Sequence, residues 1–518
     1  MTPESALTAA VFLPLLGALV ISTLGQWPNL RECVTLLVAG GLLAVVSTLV
    51  GPVISGERPE VDLITAIEGL PIGFKAEPLG MLYALVASTL WIATSVYAIG
   101  YMRGHGESNQ TRFYTCFAIA IAAAQGIALA RNVFTLFLFY EVLTFSTYPL
   151  VTHHGDEKAR RAGRVYLGIL LTTSIGFLLL ATIWTWQLAG TLEFTPGGIL
   201  AGHASPTLVG VLLGLFAFGS GKAALMPLHR WLPAAMVAPT PVSALLHAVA
   251  VVKAGVFTIT KIVVYVFGLD LLRDTGANIW LGYVAAFTLL TASLVAMTKD
   301  NLKERLAYST ISQLAYVVLG AALANVWSVI GAAMHVAMHA MGKITLFFCA
   351  GAIYVKTHKT QVSQLDGLGR QMPLTMLAFG VGAVSVIGLP PLGGAWSKWF
   401  LALGAAESHH LVLLAALMIS SLLNIAYLMP IAIRAFFVPV PSTAGIEPAA
   451  DGAEGGETAA GDGAEGETRA MATGWQEAPW LCVLPLCATA IGCVVLFFGA
   501  DVIYELLLPM FPGEGALP

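Results

Sequence analysis

Charge is what this sequence has least of. Only 10% of its 518 residues are Asp, Glu, Lys or Arg, 57% are hydrophobic, and the mean hydropathy is +0.82. A soluble domain needs far more polar surface than that. The sparse charge sums to -4, which argues against a nucleic-acid partner. Cysteine is also scarce: Cys33, Cys116, Cys349, Cys482, Cys487 and Cys493 are scattered, mostly in apolar stretches. No CxxC and no Cys/His pair stands at ligand spacing, so no metal site and no cofactor is expected. The N-terminus lacks a basic region and a cleavage site. MTPESALTAAVFLPLLGALVISTLG opens with Glu4 and reads as a retained first helix rather than a signal peptide.

What is abundant is the apolar run long enough to cross a bilayer, about 20 residues per helix. Such runs lie near 5–24, 32–54, 79–101, 113–130, 132–151, 165–187, 207–226, 240–267, 278–298, 306–325, 328–355, 373–404, 411–438 and 478–508. The expected fold class is an all-α polytopic membrane protein of about fourteen helices. Two runs are interrupted, one after Lys222 by MPLHRWLPAAMVAPTP and one by GLPPLGGAW before Ser397 and Lys398. Pro and Gly at membrane depth free backbone groups that only neighbouring helices or water can satisfy, so such breaks line cavities. PSTAGIEPAADGAEGGETAAGDGAEGETRAMATG, before the last run, is acidic and Gly/Ala-rich and reads as a disordered solvated linker.

The basic residues divide by loop. Sixteen follow odd-numbered runs: Arg31, Arg103, Arg112, Lys158, Arg160, Arg161, Arg164, Arg230, Lys299, Lys303, Arg305, Lys356, Lys359, Arg370, Arg434 and Arg469. Four follow even-numbered runs: Arg58, Lys75, Arg131 and Arg273. The positive-inside rule then makes the odd loops cytoplasmic and sets both termini outside, in a cell membrane. Five lysines remain within runs: Lys222, Lys253, Lys261, Lys343 and Lys398. Glu141 is the one acid clearly among them.

A charge at the bilayer centre costs roughly 2.5–3.5 kcal/mol, so four deep lysines would cost roughly 10–14 kcal/mol. Lys261, a turn or two from the end of its run, is expected to snorkel to the interface and is set aside. Glu141 sits midway through its helix. Alone it would stay protonated, whereas paired with a lysine it would hold charge and tune its partner. Lys222 and Lys253 flank the first break. At 4 Å and an effective dielectric near 20, a Lys–Glu pair interacts by roughly 4 kcal/mol, so opening or closing it swings a buried amine between holding and releasing a proton. A purely structural ion pair is the plain alternative. His335, His339 and Lys343 fall at i, i+4 and i+8 and form one titratable stripe; a histidine satisfied by a carbonyl is the plain alternative there. His247 shares a run with Lys253 at a spacing that places them on different faces. It is kept as a relay candidate. The halves also echo each other, RNVFTLFLFYE against DNLKERLAYST, with Thr310 where the first has Glu141.

From about residue 79 to 436 the chain resembles the proton-translocating subunits shared by respiratory complex I and Mrp-type multisubunit sodium/proton antiporters. The most specific piece is KAALMPLHRWLPAAMVAPTPVSALLHAVAVVKAG, with FYE and HVAMHAMGK in agreement. The resemblance implies two inverted five-helix repeats, each with a broken helix, over 113–267 and 278–438. Residues 1–78 would hold helices 1–2 and an outer loop, 79–112 helix 3, 439–477 the acidic linker and 478–518 the last helix. It implies Glu141 and Lys222 as a coupled pair and Lys253 as the next carrier. His339 and Lys343 would follow on the axis, with Lys398 as terminal exchange residue. Lys398 departs from the complex I subunit that has glutamate there. The lateral helix of complex I's largest antiporter-like subunit and the C-terminal extension of the A-type Mrp subunit are not found, so the resemblance points to the D-type Mrp subunit. Its partners would be the other antiporter subunits, membrane lipid, protons and monovalent cations. With Glu141 the only clear membrane carboxylate, sodium is expected to pass largely along partner subunits. A complex I-like or hydrogenase-linked proton-pumping subunit, and a non-transporting scaffold, are the competing readings.

Overall fold

The computed structural model describes residues 1–439 and 475–511. Most of the expected linker therefore lies outside the described residues. The chain is a mostly helical, polytopic membrane protein. In order, α1 is Pro3–Thr23 and α2 is Pro28–Ile54. A hairpin of β1 (Glu60–Ile67) and β2 (Leu70–Lys75) follows, then α3 (Pro78–Gly104), α4 (Gln110–Ala128), α5 (Val133–Val151) and α6 (Glu157–Ala189). After α7 (Pro206–Gly219) the chain breaks and resumes as α8 (Thr240–Phe267), α9 (Ile279–Thr298), α10 (Leu302–Ala322) and α11 (Val326–Thr357). A second break separates α12 (Pro373–Ile387) from α13 (Gly394–Glu407). The described chain then runs through α14 (Leu411–Phe437) and α15 (Trp480–Phe498).

Among the described residues ten helices are long and apolar enough to span a membrane, with α7 and α12 shorter apolar helices. That count is below the fourteen expected runs for a physical reason. Helices α4 and α10 are full-length but carry more polar residues than most of the spans, and nearly all of α10 from Leu306 onward is buried against other helices. A helix enclosed by protein has no lipid to satisfy, so its hydropathy need not be high.

Burial sorts the rest. The most apolar stretch of α8 is wholly buried and that of α11 is 94% buried, against 28% for α2 and 33% for α6. The outer helices present Leu16, Leu37, Phe287, Leu422 and Phe498 outward, as a lipid-facing shell does. Helix α11 packs against α3, α8, α10, α12, α13 and α15. The lysine- and histidine-bearing helices thus form the centre, where apolar side chains would be expected.

Equivalent devices start the two echoing segments. Asn132 caps α5 by accepting from Thr135 N at 2.8 Å, and Asn301 caps α10 by accepting from Glu304 N at 3.1 Å. Each asparagine also makes an isolated antiparallel bridge, to Glu193 and Gln361 respectively. The two breaks are seated on glycine. A Cβ at Gly255 would overlap the backbone of Lys222 and Ala223, and one at Gly394 would overlap the carbonyl of Ser385. Gly255→Ala should therefore destabilise the fold by about 1–3 kcal/mol, read as a lower unfolding midpoint of the purified protein. An unchanged midpoint would refute this packing argument.

Candidate functional site

The first break places Lys222. Helix α7 ends at Gly219, a short turn over Gly221–Ala223 follows, and Ala224 takes a positive φ of 54°. Trp231 Nε1 donates to the Gly221 carbonyl at 3.0 Å, satisfying a group that the break frees. Lys222 is fully buried. Its Nζ donates to Tyr140 O at 2.9 Å and Thr144 Oγ1 at 2.7 Å, and lies 3.2 Å from the centre of the Tyr140 ring.

Glu141, one residue along α5, is not in contact with it. Its two carboxylate oxygens are buried without a hydrogen-bond partner, and no base stands within 4 Å among the described residues. The expected Glu141–Lys222 pair is open: the carboxylate acts on the amine through space while hydroxyl and carbonyl oxygens hold the ammonium.

The two central helices then meet directly. Lys253 Nζ, on α8, is 2.6 Å from His339 Nδ1 on α11. One turn back, the His335 ring stacks on that of His339 with centroids 5.6 Å apart and planes 15° from parallel. His335 Nδ1 is 2.9 Å from Ser397 Oγ and its Nε2 is 3.1 Å from Gln313 Oε1. Both nitrogens are thus engaged by side chains, one by the Gln313 amide carbonyl and one by the Ser397 hydroxyl, as a structurally satisfied histidine would also be. Ser397 precedes Lys398 on α13, the helix after the second break. Lys398 Nζ donates to Ile387 O at 2.9 Å and Ser421 Oγ at 3.3 Å, and lies 4.5 Å from the Tyr316 ring, which itself stacks on His335. A line of polar groups therefore runs from Lys253 through two stacked imidazoles to the neighbourhood of Lys398, with His339 Nε2 buried and, among the described residues, without a hydrogen-bond partner between the rings.

Lys343 belongs to a side branch. Its Nζ donates to Ser309 Oγ at 2.6 Å and Leu306 O at 3.3 Å, and Tyr427 Oη donates to Ser309 at 3.0 Å. His247 stands apart: its ring faces Phe347 at 4.7 Å, and neither nitrogen has a protein partner.

Lys261 is corrected. It does not reach an interface but is fully buried, 3.2 Å from Glu77 Oε2 and donating to Ala130 O at 2.8 Å. Glu77, just before α3 and 3% exposed, is a buried acid that hydropathy missed because its run begins two residues later. Also missed were the hydroxyl partners Tyr140, Thr144, Ser309, Ser397 and Ser421. Of these, only Tyr140 and Ser397 carried a signal, as chain neighbours of Glu141 and Lys398.

Away from the axis, in the turn after α5, burial and the nearby Arg112 push the His153 imidazole down to about 4. It is neutral at physiological pH, so its 3.8 Å approach to Glu107 is not an ion pair.

Comparison with known proteins follows the same outline. The family model described as NADH:quinone oxidoreductase/Mrp antiporter, transmembrane, matches residues 130–424, which hold every axis residue but not Glu77. NADH-quinone oxidoreductase subunit N of Desulforudis audaxviator is 34% identical over 413 residues, 78% of this chain and 80% of that one. NAD(P)H-quinone oxidoreductase chain 5 of Synechocystis sp. is 28% identical over 416 residues. This covers 74% of the chain but 59% of the relative, so the chain spans less than two thirds of that relative's length. Among solved structures, a chain of the Mrp complex from Dietzia sp. superposes with a TM-score of 0.83 at 25% identity, covering 98% of this chain and 97% of that one.

Proposed function

The chain belongs to the NADH:quinone oxidoreductase/Mrp antiporter transmembrane family, and from that membership we propose that it is the D-type, proton-conducting member of an Mrp-type cation/proton antiporter. The observation that carries the proton reading is the 2.6 Å contact between Lys253 and His339, inside two helices that are almost wholly buried. An amine and an imidazole in contact, followed by a second, stacked imidazole bonded to a hydroxyl, place four titratable or proton-donating groups in succession.

Glu141 and Lys222 supply charge control at one end, and Lys398 is the exchange group at the other. Lys253, His339 and His335 lie between them, Lys343 carries protons on the side branch through Ser309, and His247 is beside the path. The architecture in this reading is fourteen membrane helices with two inverted five-helix repeats over 113–267 and 278–438. The matching asparagine caps and bridges support the repeat. Both termini lie outside, and the β1–β2 hairpin lies on the outer face. Sodium or another monovalent cation crosses mainly through partner subunits.

The antiporter assignment draws on the end-to-end superposition with the Dietzia chain. Membership of a proton-pumping quinone oxidoreductase is the second reading, favoured by the 34% identity to subunit N. Purification of the intact complex separates them. The expected result is copurification with small hydrophobic antiporter subunits and no redox centre. Iron–sulfur proteins or bound quinone in stoichiometric amounts would overturn the antiporter assignment and leave the proton axis standing.

A further inference from the structure

The axis as described leaves unused a buried pair of charges, one of them on α8. Glu77 and Lys261 lie at the hairpin end of the first bundle, with Oε2 and Nζ 3.2 Å apart and exposures of 3% and 0%. Lys261 follows Lys253 by eight residues on α8, about 12 Å along the helix axis. Its ammonium is held on the far side by the Ala130 carbonyl at 2.8 Å and by the Phe194 ring at 4.4 Å.

A buried ion pair is weak evidence for stability, because desolvation of both charges offsets their attraction. Two apolar side chains would close this end of the bundle more cheaply. The pair has a further feature that a pure tie would not need. Glu77 Oε2, though close to Lys261, accepts no well-aligned hydrogen bond and is buried without another partner. Between the two lysines, Thr258 likewise keeps a buried hydroxyl with no partner. A carboxylate whose partner is a lysine eight residues along α8 from Lys253, and a free hydroxyl between those two lysines, are groups that a proton-exchange step can use.

The pair also connects outward. Glu77 is faced by Lys261 and Tyr265 from α8, by Lys75 from β2 and by Arg58 from the segment before β1. Lys75 is paired with Glu60 at 3.4 Å, and Arg131 ties Glu60, Asp62 and Glu193 together at the surface. The hairpin is pinned over this end by Lys75 N donating to Leu129 O at 2.7 Å and Arg131 N donating to Gly73 O at 3.0 Å. A ladder of charged groups thus leads from the buried pair to the hairpin face. On the inner side, Phe257, four residues from each lysine, packs on Tyr83 with centroids 5.0 Å apart and separates Lys253 from Lys261 on that stripe.

We propose that Glu77 is a second proton-exchange carboxylate, linking Lys253 to the hairpin face of the first bundle, and that Lys261 is the positioning residue that keeps it anionic at rest. The inference rests on the reading of Lys253 as a proton carrier. In the step, a proton leaves the Lys253 ammonium, crosses past Thr258 and protonates the Glu77 carboxylate. It then passes to the hairpin-face medium, with Lys261 charged throughout. Antiport that draws protons from that face runs the same steps in reverse.

The test uses the whole complex in inside-out vesicles, with proton movement followed by a pH-sensitive dye and normalised to assembled protein. Glu77→Gln is expected to slow transport at least about tenfold, the scale of a lost proton-transfer group. Lys261→Arg is expected to stay within about twofold of wild type, because a fixed cation is all that position supplies. Glu77→Asp should assemble and transport with a shifted dependence on the pH of the hairpin-face compartment. A purely structural tie gives different results. Glu77→Gln would lower the amount assembled but transport at the wild-type rate per complex, and Glu77→Asp would keep the wild-type pH profile. Either outcome overturns the proposal, and if Glu77→Gln does not assemble, the Glu77→Asp profile decides. Lys253→Met is the control. If it is inactive while Glu77→Gln is fully active, only the outlet fails; if Lys253→Met is fully active, the axis itself fails.

Discussion

Lys253→Met should reduce cation-coupled proton movement by about 100-fold or more while leaving the complex assembled. Methionine keeps most of the lysine stem, so the packing of α8 against α11 is retained. It also removes the one group at that position whose charge would cost roughly 2.5–3.5 kcal/mol at the bilayer centre. Stability should therefore hold or rise as transport collapses. What the substitution takes away is the 2.6 Å approach to His339 Nδ1, the single crossing between the two central helices in the polar train. His339→Gln should fall in the same direction, since an amide can still bridge Lys253 but cannot accept and release a proton. Dye-monitored exchange in vesicles, normalised to assembled protein, measures both. A Lys253→Met complex with the wild-type rate would mean that protons do not use this crossing.

The expected positions of the helices and of both breaks were legible because each rests on a local property. A run of apolar residues, or a Pro/Gly cluster within one, needs no knowledge of its neighbours. The buried amines were legible for the same reason, as charges within those runs. What surrounds each amine was not. Lys222 rests on Tyr140 and Thr144, and Lys343 on Ser309. A hydroxyl is too common and too weakly hydropathic to stand out, and each comes from a helix remote in sequence.

Lys261 shows the same limit from the other side. Judged by its place on its own helix, it was near enough to an end to snorkel. Its partner Glu77 precedes a different helix, and the hairpin covers them both. Depth in a protein interior is a tertiary property, and a hydropathy window measures only distance along the chain.

The two echoing segments differ in charge. The first carries Glu141, and the second has Thr310, whose hydroxyl donates to the Leu306 carbonyl and contributes no charge. Around it Ser293, Ser312 and Ser420 bond one another at 2.9–3.3 Å, and Tyr316 and Ser421 continue that set toward Lys398. Hydroxyls stabilise an ammonium without ever neutralising it, so under the proposed function the second half would relay protons and the first would also control them.

That division yields the other large effect. Lys222→Met is expected to lower transport by about 100-fold, the range of a lost proton carrier. Glu141→Gln should cost nearly as much. The carboxylate makes no contact with the amine in this structure, so its value lies in the moment the pair closes and the charge on Lys222 is held. A pair at 4 Å and an effective dielectric near 20 is worth roughly 4 kcal/mol, enough to reverse the occupancy of the amine. If the two residues act as one switch, the double substitution should be no worse than either single one, because the second change removes what the first already disabled. Independent roles would instead multiply the two losses. The four-member cycle of vesicle transport rates therefore reads the coupling directly, and multiplicative losses would show that Glu141 works on some group other than Lys222.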